Sequence, residues 1–148
     1  MTRTVGVVGL GNIGGRLATL LVEQFKVLVY DIDEDRVDSL VDAGARAARS
    51  GADLGRRATV VLLSLPNDSA LEAATLGEAG VVEGLGEGDV LVDTSTVSPM
   101  ASGRVAKATA AAGADFLDAP VSGGARNAAT GDLTVLVGGD AGLEIARP

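Results

Sequence analysis

Short apolar runs alternate along the chain with segments whose apolar positions recur at helical spacing. Residues 5–8 form the first run, and Ile13, Leu17 and Leu20 then repeat on one side of a helix through residue 24. Six further runs predict strands at residues 27–30, 45–48, 59–65, 90–93, 116–119 and 133–137. The segments between them predict helices that begin near residues 33, 50, 67, 99 and 141.

Capping residues and strand character refine this pattern. Ser50 and Ser98 are N-cap candidates, and Pro99 fits a first helical turn, where its missing N–H does no harm. The strands read as continuous apolar runs, as buried parallel strands do. The rhythm predicts an α/β class with a doubly wound, mostly parallel sheet and helices on both faces. We find no repeats or linkers, which predicts a single domain over residues 1–148.

The composition narrows the classes of partner. Apolar residues make up 47% of the 148 residues but aromatic residues only 2%, so we expect an aliphatic core. The formal charge of −8 repels phosphate backbones and no polybasic anchor is present, so we expect neither nucleic acid nor a membrane as partner. With no Cys and no His, we predict no disulfide and no metal site. No charged leader precedes the first strand, so we expect a cytoplasmic protein.

A glycine-rich turn follows the first predicted strand. Gly9, Gly11 and Gly14 form G-x-G-x-x-G, with an apolar strand before them and an amphipathic helix after them. In such a turn the first glycine allows the tight bend, the second lets a pyrophosphate approach the backbone, and the third lets the helix sit close to the strand. The alternative is a glycine-rich turn without a ligand. The context favours a dinucleotide whose pyrophosphate lies at the helix N-terminus.

Asp31 ends the second predicted strand, roughly 20 residues after the glycine turn, where an acid accepts hydrogen bonds from ribose hydroxyls. A carboxylate there repels a 2′-phosphate, which favours NAD over NADP. Asp31 could instead cap the next helix, although Asp33 is the better cap. A nearby arginine can accept a phosphate, but Arg36 sits beside acidic residues, so we favour a solvated ion pair for it.

Leu65-Pro66-Asn67 ends the fourth predicted strand. Ligands of open α/β sheets bind along the carboxyl edge of the strands, so this segment could border the same ligand. The alternative is a simple turn.

Four segments resemble the 3-hydroxyacid dehydrogenase family, which includes 3-hydroxyisobutyrate dehydrogenase and tartronate semialdehyde reductase and is related to 6-phosphogluconate dehydrogenase. Residues 9–18, GLGNIGGRLA, are similar to the family's opening G-L-G-x-M-G-x-x-M-A, with Ile13 and Leu17 in place of methionines. The others are residues 65–67 (LPN), residues 93–99 (DTSTVSP, matching D-x-S-T-x-x-P) and residues 118–124 (DAPVSGG). The last is long and specific, and the four together span nearly the whole chain.

The resemblance implies a Rossmann fold and three groups of site residues. The adenosine half of NAD is assigned to Gly9, Leu10, Gly11, Asn12, Ile13, Gly14 and Asp31. The nicotinamide ribose is assigned to Leu65, Pro66 and Thr96, and the substrate's carboxylate or hydroxyl end to Ser122, Gly123 and Gly124. Open backbone N–H groups after a serine suit a carboxylate. Without its flanking match, the Ser122-Gly123-Gly124 segment would be interpreted as an ordinary turn.

Hydride transfer from an alcohol also needs a proton acceptor, and the sequence offers none that fits. Tyr30 lies on the adenosine side, Lys26 begins the second strand and Lys107 lies within a helix. Asp93 and Asp118 are weak bases that more plausibly hold loops through backbone N–H groups. The family's acid/base is a lysine in a G-x-x-x-K-x-x-x-N segment after the dinucleotide domain, and the 148 residues do not contain it.

We therefore expect the N-terminal part of an NAD-dependent enzyme for a small 3-hydroxy acid, of the 3-hydroxyisobutyrate or tartronate semialdehyde/glycerate type. The isolated chain would be inactive, and the full-length parent would be a homo-oligomer. One alternative is a free-standing NAD-binding regulatory or sensor module. Another is an imine reductase, although those enzymes usually carry basic residues where Asp31 stands and lack D-A-P-V-S-G-G. Without a second domain, Leu133, Val135 and Val137 would form an exposed, self-associating edge.

Overall fold

The computed structural model describes residues 3–139 and 142–147. Its strands are β1 (Thr4–Val8), β2 (Lys26–Tyr30), β3 (Arg46–Ala47), β4 (Val60–Leu63), β5 (Val90–Asp93), β6 (Asp115–Asp118), β7 (Val121–Ser122) and β8 (Thr134–Val135). Its helices are α1 (Gly14–Leu21), α2 (Glu34–Asp42), α3 (Gly51–Arg57), α4 (Asp68–Leu76), α5 (Pro99–Ala111), α6 (Ala125–Thr130) and α7 (Leu143–Ala146), with a 3₁₀ turn at Val81–Gly84.

The six strands β1 to β6 form one parallel sheet in the order β3-β2-β1-β4-β5-β6. The order reverses at β1, so the chain winds outward in both directions from this strand. Val7 of β1 lies in register with Val29 of β2 on one side and with Leu62 of β4 on the other. The doubly wound, parallel Rossmann architecture expected from the sequence is confirmed.

Helices cover both faces of the sheet, and each face has its own aliphatic core. On one face Leu54 of α3, Leu71 of α4 and Val105 of α5 pack together with strand residues that include Val61 and Leu91. On the other face Ala18 of α1 and Leu40 of α2 pack on Val7 and Val29. The aromatic Tyr30 and Phe116 only border the first cluster. Aliphatic burial therefore supplies the main driving force for folding, as the composition predicts.

Side-chain caps fix where several helices begin. The side chains of Ser50, Asn67 and Ser98 accept hydrogen bonds from backbone N–H groups in the first turns of α3, α4 and α5. Asp33 accepts from the backbone N–H of Asp35 at the start of α2. These bonds satisfy N–H groups that have no partner within the helix. The predicted caps at Ser50 and Ser98 are confirmed.

The chain after β6 departs from the expected pattern. The run at residues 133–137 does not join the main sheet, because β8 pairs antiparallel with β7. In the sequence, α6 separates these two strands. The apolar pattern indicates a strand but not which partner it chooses. Ala141, where the last helix was expected to begin, lies outside the described residues, and α7 spans Leu143–Ala146. Among the described residues, no helix has the length and apolar character needed to cross a bilayer.

Candidate functional site

A cleft of about 600 Å³ opens at the carboxyl ends of β1, β2 and β4. This volume lies within the range of small-molecule and cofactor sites. The cleft brings together most of the residues that the sequence assigns to a cofactor. They are Gly9, Gly11, Asn12, Ile13, Asp31, Leu65 and Pro66.

The turn after β1 needs glycine at its first and last motif positions. Gly9 has a φ of +89°, and a Cβ there would lie 2.1 Å from the carbonyl oxygen of Ser64. A Cβ at Gly14 would lie 1.9 Å from the carbonyl oxygen of Gly9. Side chains rarely adopt the first conformation, and neither position has room for one. These two glycines therefore shape the turn, whether or not a ligand is bound.

Gly11 is different, because no packing within the protein requires a glycine there. The nearest atom to a Cβ built at Gly11 is Nη1 of Arg36, at 3.9 Å. The side-chain position of Gly11 therefore faces the open cleft. The packing of the protein would tolerate a side chain at Gly11. Because glycine has none, the backbone at this position is open to a ligand that enters the cleft.

Asp31 fastens the glycine turn to the end of β2. Its Oδ2 accepts from the backbone N–H of Leu10 at 2.7 Å, and its Oδ1 accepts from the backbone N–H of Asp33 at 2.8 Å. Asp33, and not Asp31, caps α2. Each carboxylate oxygen can accept a second hydrogen bond, so Asp31 keeps acceptor capacity while it lines the cleft. Leu10 itself is buried and supplies the backbone N–H.

Arg36 and Ile32 lie at the cleft beside Asp31. The Arg36 guanidinium is 3.5 Å from Oδ2 of Asp33 and 3.9 Å from Oδ2 of Asp31, so the expected ion pair is present. Arg36 also lines the cleft, so the guanidinium combines the favoured ion pair with a position beside the ligand space. Ile32 lines it too, and 94% of its surface is exposed. A lone isoleucine between acidic residues was the available signal for this apolar contact surface.

The far wall of the cleft comes from α4 and the turn after it. Its lining residues are Ala70, Ala73, Ala74, Glu78, Ala79 and Gly80. The sequence reasoning missed this wall, because alanines on a helix carry no chemical signature.

The remaining assigned residues lie away from this cleft. Thr96 is exposed and does not line it. Ser122 lies on β7 and precedes Gly123 and Gly124, all three exposed and outside the lining. The structure thus brings the adenosine-side residues together with Leu65 and Pro66, but not with the substrate-side segment. The roles assigned to Thr96 and residues 122–124 stay predictions.

Asp93 occupies the end of β5 next to the cleft wall. Its side chain is fully buried, Oδ1 accepts from the backbone N–H of Ser95 at 2.9 Å, and Oδ2 has no partner. Burial raises the pKa of this carboxyl, and the hydrogen bonds from Ser95 only partly oppose the rise. Asp93 thus holds a loop through a backbone N–H, as expected. Asp118 makes its hydrogen bonds to Gly138 through its backbone.

Few cleft residues can handle a proton. In the described part of the chain, the titratable lining residues are Tyr30, Asp31, Arg36 and Glu78. Lys26 begins β2 at the opposite edge of the sheet, and Lys107 lies within α5. Within residues 3–139 and 142–147, no group of three or more acidic, Cys or His side chains could hold a metal ion.

A doubly wound parallel sheet with a glycine turn and an acid at the ends of β1 and β2 defines the class of dinucleotide-binding domains. The family model described as the NAD binding domain of 6-phosphogluconate dehydrogenase matches residues 4–145. The chain belongs to this family, in the branch that includes the 3-hydroxyisobutyrate dehydrogenases. The expected family is therefore confirmed.

Individual relatives show how similar the chain is to known proteins in sequence and in structure. The chain is 40% identical over 148 residues to an NAD-dependent L-serine dehydrogenase of Pseudomonas aeruginosa, covering 99% of this chain and 50% of the relative. A Mycobacterium tuberculosis 3-hydroxyisobutyrate dehydrogenase solved with L-serine is 30% identical, with a TM-score of 0.90 over all of this chain and 50% of the other. A structure of Psf3 in complex with NADP+ and 2-OPP is 32% identical, with a TM-score of 0.83 over 90% of this chain and 48% of the other.

The chain thus spans about half the length of the curated relatives it matches, 50% of the L-serine dehydrogenase and 40% of a bovine mitochondrial 3-hydroxyisobutyrate dehydrogenase. The matched half is the NAD-binding one.

Proposed function

We propose that the chain is the NAD-binding part of an oxidoreductase that transfers a hydride between the nicotinamide and a small 3-hydroxy acid. The observation that carries the proposal is Gly11, whose side-chain position faces the cleft and meets no protein atom closer than Nη1 of Arg36, at 3.9 Å. Gly9 and Gly14 would be needed for the turn in any case, whereas Gly11 has a use only if something approaches its backbone.

The geometry of the cleft supports binding of the adenosine half. The turn from Gly9 to Gly14 would hold the pyrophosphate at the N-terminus of α1, where backbone N–H groups and the helix dipole favour negative charge. Asp31 would accept hydrogen bonds from the ribose hydroxyls through its remaining lone pairs. The exposed Ile32 would pack on the adenine ring, which would bury an isoleucine side chain that otherwise faces water.

Cofactor choice rests on two side chains with opposite charge. Asp31 disfavours a 2′-phosphate, and Arg36 is already paired with Asp33 and Asp31. Releasing Arg36 for a phosphate would leave those carboxylates without their cation. We therefore propose NAD as the cofactor, with NADP as the weaker ligand.

The proposed class of substrate, a small 3-hydroxy acid, is supported by the relatives and by residues 118–124. L-serine and 3-hydroxyisobutyrate, named for two relatives, are both 3-hydroxy acids. We propose that Ser122, Gly123 and Gly124 hold the substrate's carboxylate or hydroxyl end in the complete site, with Thr96, Leu65 and Pro66 near the nicotinamide ribose. No described cleft residue suits the role of proton acceptor, so the isolated chain is expected to bind cofactor without turnover.

The test is a side-by-side titration of the purified chain with NAD+ and NADP+. Gly11→Ala is expected to keep the wild-type unfolding midpoint but to weaken NAD+ binding about tenfold, because its methyl group points into the cleft. The matched control is Gly103→Ala in α5, where a Cβ meets no neighbouring atom within 4 Å and which lies outside the cleft. Equal NAD+ affinity of both variants would contradict the proposed pyrophosphate site.

Asp31→Asn tests the cofactor choice separately. It keeps one acceptor oxygen for the Leu10 or Asp33 backbone N–H but removes the negative charge. The preference for NAD+ over NADP+ is expected to narrow in this variant. A wild-type preference for NADP+ would overturn the role of Asp31 while leaving the dinucleotide site in place.

A free-standing NAD-binding regulatory or sensor module is the second candidate. The lack of a fitting proton acceptor among the described cleft residues favours it. The coding sequence after Pro148 distinguishes the two. An in-frame continuation with a lysine segment supports the enzyme, and a stop codon supports the module.

A further inference from the structure

We propose that Ser95, held in place by Asp93, positions the nicotinamide-side wall of the cleft although neither residue lines it. This inference rests on the proposed dinucleotide function. Its starting point is a hydrogen bond across the sheet edge, in which the backbone N–H of Leu65 donates to Oγ of Ser95 at 2.9 Å. Leu65 lines the cleft, whereas Asp93 and Ser95 do not.

The bond to Ser95 holds the Leu65-Pro66 turn at its centre, where the turn's own backbone offers few donors. Pro66 has no N–H, so its backbone cannot donate to the neighbouring strand. Asn67 uses its side chain to cap α4. The backbone N–H of Leu65 is therefore a donor that can hold the turn in place. Its acceptor is the side chain of Ser95, 30 residues further along the chain.

Asp93 in turn fixes Ser95. Its Oδ1 accepts from the Ser95 backbone N–H at 2.9 Å, and both residues are buried, at 0% and 5% exposure. A buried carboxyl with an unpartnered oxygen is costly to the folded state. An apolar residue would fill the end of β5 at lower cost, so the carboxyl needs a purpose, and holding the Ser95 loop is the one that the contacts indicate.

Three further hydrogen bonds join the same two loops on either side of Ser95. The Thr94 hydroxyl donates to the carbonyl oxygen of Leu63 at 2.6 Å. Ser98 donates to Asp68 through its backbone N–H at 2.8 Å and through its hydroxyl at 2.5 Å. Hydrogen bonds thus join the loop from 94 to 98 to the segment from 63 to 68 at both ends. The bond between Ser95 and Leu65 lies between them, at the cleft wall.

The wall so positioned touches the glycine turn. Cδ2 of Leu65 is 3.0 Å from the point where a Cβ on Gly9 would lie, so the Leu65 side chain abuts the bend that follows β1. A shift of Leu65 would change the path between the pyrophosphate turn and the nicotinamide end. The adenosine end, formed by Asp31, Ile32 and α4, would be left as it is.

The experiment compares two ligands that share the adenosine half. NADH reaches the nicotinamide side, whereas ADP lacks both the nicotinamide ring and the ribose attached to it. Ser95→Ala in the purified chain is expected to weaken NADH binding about fivefold, the usual effect of one net hydrogen bond, and to lower the fluorescence enhancement of the bound nicotinamide. Its affinity for ADP is expected to stay within about twofold of wild type. Ser95→Thr, which keeps the hydroxyl, is expected to restore the NADH-to-ADP affinity ratio.

Thr109→Ala is the matched control. Thr109 is also buried, and its hydroxyl donates to the carbonyl oxygen of Val105 within α5, away from the cleft. A similar fall in the NADH-to-ADP affinity ratio in Thr109→Ala would show that general destabilisation explains the effect and would overturn the positioning role. An unchanged ratio in Ser95→Ala would overturn it as well. If the wild-type chain binds neither ligand, the dinucleotide proposal fails, and this inference fails with it.

Discussion

The contact between α1 and the glycine turn allows a quantitative prediction for Gly14→Ala. The added Cβ would start 1.9 Å from the carbonyl oxygen of Gly9 and 3.0 Å from Cβ of Ser64. Because both neighbours belong to the packed sheet edge, α1 must withdraw from the turn by about 1 Å or more. Overpacking of this kind costs about 1–3 kcal/mol of unfolding free energy. Gly14 is the first residue of α1, so the better helix propensity of alanine offsets little of this cost.

Urea unfolding of Gly14→Ala beside Gly103→Ala measures the effect. Both variants replace a helical glycine by alanine, but Gly103 has no atom within 4 Å of its built Cβ. Gly103→Ala is therefore expected to gain up to about 1 kcal/mol from helix propensity, so that the two variants should move in opposite directions. Melting temperatures should differ accordingly, by about 2–4 °C for each kcal/mol. An unfolding midpoint of Gly14→Ala equal to or above that of the wild type would refute the close packing inferred here.

Three further changes test other parts of the structure. Hydrogen bonds from the backbone N–H and the guanidinium of Arg49 are the main causes that lower the pKa of Asp53 to about 2. The contribution of ionised Asp53 to the stability of the fold is therefore complete above the ordinary pKa of an aspartate, and it is lost as the pH falls towards 2. Asp53→Asn is expected to flatten the fall of the urea midpoint between about pH 4 and pH 2, and an unchanged slope would contradict this. Leu54→Ala, at a fully buried position between α3 and the sheet, is expected to cost about 2–5 kcal/mol in the same assay, and a cost below about 1 kcal/mol would count against it. Light scattering at high concentration is expected to show self-association that Leu136→Lys reduces and Met100→Lys, at another exposed apolar residue, does not; a monomeric wild-type chain would disprove it.

The sequence predicts those parts of the fold in which a few neighbouring residues are enough to determine the local structure. A buried parallel strand reads as a continuous apolar run, and Gly9 with a φ of +89° can hardly be replaced by another residue. Asp31 follows the same logic, because its place after β2 puts it beside the turn that it fastens. Ser98 before Pro99 likewise gives a helix start from neighbouring residues alone.

The parts that escaped prediction depend on partners distant in the chain. The run at residues 133–137 has the composition of a strand, but its pairing with Val121–Ser122 depends on a neighbour that the apolar pattern does not specify. The bond between Leu65 and Ser95 joins residues 30 apart, and nothing local to either marks it. The wall formed by α4 is missed for another reason, since a ligand-facing alanine and a solvent-facing alanine look the same in a sequence.

The distribution of site residues between the cleft and β7 separates the two halves of the proposed reaction. The cleft that we propose for the adenosine side is lined by the glycine turn, Asp31 and α4, all of which lie in the described part of the chain. Ser122 instead lies exposed on a two-stranded sheet outside the cleft, and the adjoining Leu136 leaves 62% of its surface in contact with water. An exposed polar segment next to exposed apolar side chains can neither exclude water nor orient a hydroxy acid by itself. We therefore expect cofactor binding and substrate binding to be separable, with the described cleft binding the cofactor and the exposed Ser122 segment failing to bind a hydroxy acid by itself.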